Sequence, residues 1–169
     1  IADVYALKSA TEEWKISPAF KSNQSDFATL FLSKYSILLL HKCVNLKCIE
    51  SLVLAQALLN LITEIKGSAP ASGTEHLYAN VMENKFLSSE PHGVLVAKGI
   101  LFQHALSPNK KIMDAEKEMK ELGIFPYYEK ELINYYLDED IRSEMIKLSR
   151  TKKRFSYLEL VNEKNDKKK

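Results

Sequence analysis

Apolar residues recur along this chain at helical spacing, no alternating strand pattern lasts more than a few residues, and most of the five glycines and five prolines fall where the spacing breaks. Ala2, Ala6, Leu7, Ala10 and Trp14 form a stripe at i, i+4, i+5, i+8 and i+12, which predicts a first helix ending before Pro18. Its alanines allow a neighbour to approach closely. A second helix is expected from a cap at Asn23 or Ser25 to about Cys43. A third runs from about Lys47 to Lys66 and is closed by Gly67. Both are apolar around much of their circumference, which predicts the central helices of a bundle.

Ser72-Gly73-Thr74-Glu75 has capping-box spacing, so a fourth helix is expected from Gly73 to about Lys85, with the Ser72 hydroxyl on the Glu75 amide and the Glu75 side chain returning to Ser72. Pro91 suits the first turn of a fifth helix running to Leu106. Gly93, Ala97 and Gly99 lie inside it; an interior glycine costs about 1 kcal/mol relative to alanine, so these positions predict close packing against a helix or ligand. Ile112 to Leu122 reads as an exposed amphipathic helix stopped by Gly123, and Tyr127 to Tyr136 as a short helix and a turn. Asp138 can cap a last helix through about Ser149, with Ile141, Met145 and Leu148 as its stripe. Arg154 to Leu158 reads as a short extended piece packing back on the bundle, and Asn162 to Lys169 as a charged, solvated tail. The expectation is an all-α bundle of about seven helices over residues 1–161.

Composition changes this picture little. The chain has 169 residues, 46% hydrophobic and 27% charged, with a net charge of +2; this fits one soluble domain and gives no electrostatic case for nucleic acid. The longest uninterrupted apolar run, Ile37-Leu-Leu-Leu40, ends at His41 and Lys42, well short of the roughly 18 residues that span a bilayer, so no membrane is expected as a partner. Cys43 and Cys48 make no disulfide framework and read as reduced thiols of a cytoplasmic protein. No signal peptide is visible. The chain opens on Ile1 with Asp3 already in a helical pattern, which reads as a piece of a longer protein.

Two of the four histidines are placed alike. His76 and His92, sixteen residues apart, each follow a Pro/Ser/Gly break in the first turns of successive helices. A helix N-terminus disfavours imidazolium, which leaves a neutral ring able to bind metal. Position alone fits both a metal site and a pair of hydrogen-bonded structural histidines. His41, in an apolar run, and His104, near a helix end, read as structural. No His-Glu-x-x-His, Glu-x-x-His, Gly-x-Ser-x-Gly or Walker pattern occurs. Gly67-Ser-Ala-Pro-Ala-Ser-Gly73 looks like a phosphate cradle but joins helix to helix and lacks the lysine. The pairs Tyr127-Tyr128 and Tyr135-Tyr136 read as packing.

Pro70-Ala-Ser-Gly-Thr-Glu-His76, followed by His92-Gly93 and Val-Leu-Val-Ala-Lys-Gly99, resembles the iron-containing alcohol dehydrogenase and dehydroquinate synthase-like superfamily, nearest its sn-glycerol-1-phosphate dehydrogenase branch, with glycerol dehydrogenase a cousin. The opening Ile1 to Trp14 resembles the family segment that supplies an aspartate ligand, and Gly123-Ile-Phe-Pro and Arg154-Phe-Ser-Tyr-Leu158 resemble C-terminal features of that branch. The resemblance implies the C-terminal helical domain of a two-domain enzyme whose N-terminal α/β domain binds NAD or NADP. It implies Asp3, His76 and His92 as ligands of Zn2+ or Fe2+, with Asp3 and Asn80 facing a polyol or its phosphate. The implied partners are that substrate, the N-terminal domain of the same chain, and further copies in a homo-oligomer. Two positions depart from the branch: Asn80 replaces a second histidine one turn after the first, and Ala69 replaces an arginine. Asn80 can hydrogen-bond a substrate hydroxyl but has no proton to exchange near neutral pH, and Ala69 offers an anion nothing. The alternative expectation is therefore a catalytically impaired family member kept for metal binding or regulation.

Overall fold

A computed structural model describes residues 1–106, 112–124, 138–152, 155, 156 and 158. Its elements are α1 Ala2–Lys15, α2 Gln24–Leu46, α3 Ile49–Lys66, α4 Thr74–Asn84, α5 His92–Leu106, α6 Ile112–Glu121 and α7 Glu139–Thr151, with no strand among the described residues. The expected helix and turn at 127–136 and the tail at 162–169 lie outside those residues, as do Arg154 and Tyr157 of the expected extended piece. Ser156 and Leu158 from that piece are buried, and Leu158, which belongs to the core, is helical and not extended.

Most helix ends follow the local chemistry. Asn23 Oδ1 accepts the Asp26 N–H at 2.9 Å to start α2, and Asp138 caps α7 through the Asp140 and Ile141 N–H groups. Gly67, at a φ of +70°, ends α3. The start of α4 differs from the expected capping box by one residue. Gly73 is the N-cap, and the Glu75 carboxylate accepts the Gly73 N–H at 2.6 Å. The Thr74 N–H that follows is taken by Glu13 of α1.

The centre of the fold is α4 and α5, packed as a pair, with α1 lying across them, α6 against α5 and α7 against α4. Helix α5 buries Leu95, Val96, Ile100, Leu101 and Phe102 around its circumference; α4 contributes Leu77, Tyr78 and Val81, and α1 contributes Val4 and Leu7. The Tyr78 and Phe102 rings meet at 5.6 Å between centroids. Met119 of α6 and Ile141 and Met145 of α7 close the sides.

Helices α2 and α3 are not the central pair that their composition predicts. They form a hairpin at the edge, touching the rest chiefly through α1. Helix α2 turns Asp26, Thr29, Ser33 and Ser36 inward and leaves Phe27, Phe31 and Leu38 more than half exposed. By length and composition α2 is the one described helix able to cross a bilayer, yet Lys34 and Lys42 interrupt it and Asp26 is buried against Lys66 of α3. His41 Nε2 lies 3.4 Å from Glu118, which accepts from Tyr5 and Lys8. Cys43 and Cys48 are free thiols.

Candidate metal centre

Three helix N-termini converge at one edge of the α1–α4–α5 core. Asp3 stands in the first turn of α1, His76 in the first turn of α4, and His92 opens α5, where the Pro91 carbonyl accepts the Val94 and Leu95 N–H groups. Close approach of α4 and α5 depends on Gly99. A Cβ there would lie 2.3 Å from the Glu75 carbonyl oxygen and 2.8 Å from its Cα, both main-chain atoms unable to step aside. Helix α1 is fastened to the same pair by the buried Glu13 carboxylate. It accepts the Thr74 N–H at 2.7 Å, the Thr74 hydroxyl at 2.6 Å and the Gln103 amide at 3.1 Å. One carboxylate thus joins α1, α4 and α5.

Nε2 of His76 lies 3.5 Å and Nε2 of His92 4.0 Å from Asp3 Oδ1, and all three donor atoms fall within 4.8 Å of one another. The other nitrogen of each ring faces a carboxylate: His76 Nδ1 is 3.1 Å from Glu75 Oε1, and His92 Nδ1 is 2.8 Å from Glu83 Oε1. A carboxylate on Nδ1 with Nε2 turned to a common centre is the arrangement that orients metal-ligating histidines. Asp3 Oδ1 is sealed from solvent, with the two Nε2 atoms as its polar neighbours. Zinc bonds of about 2.0–2.2 Å place tetrahedral ligands roughly 3.4 Å apart, so the closest pair already fits and the others need to close by little more than 1 Å. The donor set, one carboxylate and two imidazoles, suits zinc or ferrous iron.

The electrostatics correct one expectation. Burial works to lower the His76 pKa, but its hydrogen bonds to Asp3 and Glu75 together outweigh that and hold the pKa up to about 9. The helix terminus therefore does not keep this ring neutral, because two carboxylates stand closer to it than the helix charge is strong. Its hydrogen bond to His76 is the main reason the Asp3 carboxyl is held below the usual range. Without a metal, a proton on His76 offsets the negative charge of the cluster.

Asn80 is not part of this cluster. Its Nδ2 donates to the His76 carbonyl at 2.6 Å, and it lines a cleft of about 340 Å³ between α4 and α7 with Asn84, Lys85, Glu144, Lys147 and Lys152. Asp3, His76 and His92 do not line that cleft. Ala69 lies by a smaller cavity of about 90 Å³ beside Glu13 and Trp14, away from the histidines. In the sequence Glu83 goes unmarked and Glu75 reads only as a cap. Adjacency to His76 could have flagged Glu75; the spacing from Glu83 to His92 carries no signal. Comparison of the chain with protein-family models, curated proteins and solved structures gave no match.

Proposed function

We propose that this chain is the helical, metal-binding part of an NAD(P)-linked polyol dehydrogenase of the glycerol or sn-glycerol-1-phosphate type, within the iron-containing alcohol dehydrogenase superfamily. The observation that carries the reading is the meeting of Asp3 with His76 and His92, each ring braced by a carboxylate on Nδ1. Asp3, His76 and His92 would hold a zinc or iron ion, whose Lewis acidity acts on a substrate alcohol or carbonyl oxygen. Three protein donors leave a position for that oxygen. Glu75 and Glu83 keep both Nε2 atoms turned inward. Hydride is carried by NAD or NADP on the N-terminal α/β domain of such enzymes. Asn80, one turn after His76 on α4 and bonded through Nδ2 to the His76 carbonyl, would meet only a part of the polyol that reaches beyond the metal centre into the cleft beside α7. In the full-length protein, His76→Ala and His92→Ala are each expected to abolish bound metal in elemental analysis and to lower dehydrogenase activity about a thousandfold. Full metal content with unchanged activity in both variants would sink the proposal.

Asn80 also favours a second reading, a metal-binding family member with impaired catalysis. A full-length preparation loaded with zinc, yet inert toward glycerol, dihydroxyacetone and their phosphates with either nicotinamide cofactor, would select it.

A further inference from the structure

Helix α2 is built inside out. The side it turns to the bundle is lined with small hydroxyls, and Thr29, Ser33 and Ser36 each donate to a carbonyl of their own helix rather than to a neighbour. Leu39 and Leu40 join the core, but Phe27, Phe31, Tyr35 and Leu38 point away from it. Helix α3 buries Ala55, Leu59 and Ile62 and exposes Val53, Leu61 and Ile65. The Asp26–Lys66 ion pair, at 2.6 Å, sets the antiparallel register of the two helices. Equal rise along each then brings Phe27 level with Ile65, Phe31 with Leu61 and Leu38 with Leu54, each of them exposed. The Phe31 and Tyr35 rings stack within that surface, 6.3 Å apart and 4° from parallel.

We propose that this outer face of the α2–α3 hairpin is the interface of a two-fold dimer of the chain. The proposal does not depend on the metal reading. The exposed apolar side chains amount to roughly 600–800 Å² per copy, close to the approximately 800 Å² that each partner of a standard interface contributes. Charge names a second copy as the occupant. The exposed charged residues of α2 are Lys34 and Lys42, and those of α3 are Glu50 and Glu64. In the register above, Lys42 is level with Glu50. A two-fold axis parallel to the hairpin lays α2 of one copy over α3 of the other, so that Lys42 meets Glu50 twice. Packing α2 on α2 would instead set lysine against lysine. The two glutamates on this face also count against a lipid bilayer as its occupant.

Sedimentation and light scattering of the chain over a range of concentrations should show a dimer. Phe31→Glu and Leu61→Glu, both at exposed positions, should each weaken it at least about 30-fold while circular dichroism stays that of a folded helical protein. Lys42→Glu alone and Glu50→Lys alone should each weaken association, and an equimolar mixture of the two should restore it, because the charges then pair across the interface. This charge exchange keeps the test decisive if an apolar-to-glutamate variant fails to fold. A monomer at every concentration, or a dimer indifferent to all four substitutions, would overturn the proposal. Phe31-dependent binding of a monomer to phosphatidylcholine–phosphatidylserine vesicles would also overturn it, in favour of a membrane.

Discussion

At the scale of single residues, the two histidine rings are held from behind by Glu75 and Glu83, which are not themselves among the three donors. Glu75 is wholly buried; it accepts the Gly73 N–H through the same oxygen that faces His76 Nδ1, so the start of α4 and the orientation of the ring are set together. Glu75→Gln retains the shape but loses the charge behind the ring. It is expected to weaken zinc binding about 10–100-fold, measured by competition with a chromogenic chelator, with little change in helical content. Zinc affinity unchanged by Glu75→Gln would show that the ring is oriented by packing alone. The sequence made the two histidines visible as a pair because both follow helix-breaking residues. Asp3 was visible only through the family resemblance, since nothing in its spacing links a residue of α1 to α4. His41 shows the opposite case: isolated in an apolar run, it reads as structural, and its Nε2 lies near Glu118.

At the scale of elements, one missing methyl group controls how α4 meets α5. Gly99→Ala would drive a Cβ into the Glu75 main chain, so either the helices part or the backbone bends. The expected cost is about 1–3 kcal/mol, read as a fall in denaturant midpoint, with zinc affinity reduced because His76 and His92 ride on the two separated helices. A midpoint and affinity equal to those of the parent would contradict the role assigned to Gly99. Helix existence was legible in the apolar spacing and the breakers, and most boundaries fell within a few residues of expectation. Helix position was less so. An apolar circumference identifies a helix covered on several sides without saying what covers it. For α5 the cover is this bundle, whereas Phe27, Phe31 and Leu38 leave part of α2 bare. The capping box slipped by one because Glu13, from another helix, supplies the acceptor that Thr74 needs, and no local pattern contains that information.

For the whole molecule, the hairpin is tied at its open end by Asp26. This buried carboxylate accepts from Lys66 at 2.6 Å and from the Lys21 N–H at 2.7 Å. The hydrogen bond from Lys66 is the main cause that holds its pKa below the ordinary carboxylate range. A folded pKa below the unfolded value of about 3.9 contributes stability that is fully present above that value and lost as pH falls through the folded pKa. Asp26→Asn should therefore destabilise the protein near neutral pH, and its deficit relative to the parent should shrink in denaturant titrations as pH is lowered below about 4. A deficit that stays constant from pH 7 to pH 2 would mean that Asp26 acts through shape and not through charge.

The candidate metal centre has a further consequence for how the chain holds together. It joins α1 to α4 and α5 across the whole α2–α3 excursion, so an ion bound there fastens segments that are far apart in sequence. An ion that binds only the folded state adds about 2.7 kcal/mol when present at a hundred times its dissociation constant. That gain is lost once α1 lifts away with Asp3. Metal would then act on this fold as a reversible clasp: exchange of the α1 amides with solvent would slow on loading, while the hairpin, which contributes no ligand, would go on opening at its own rate.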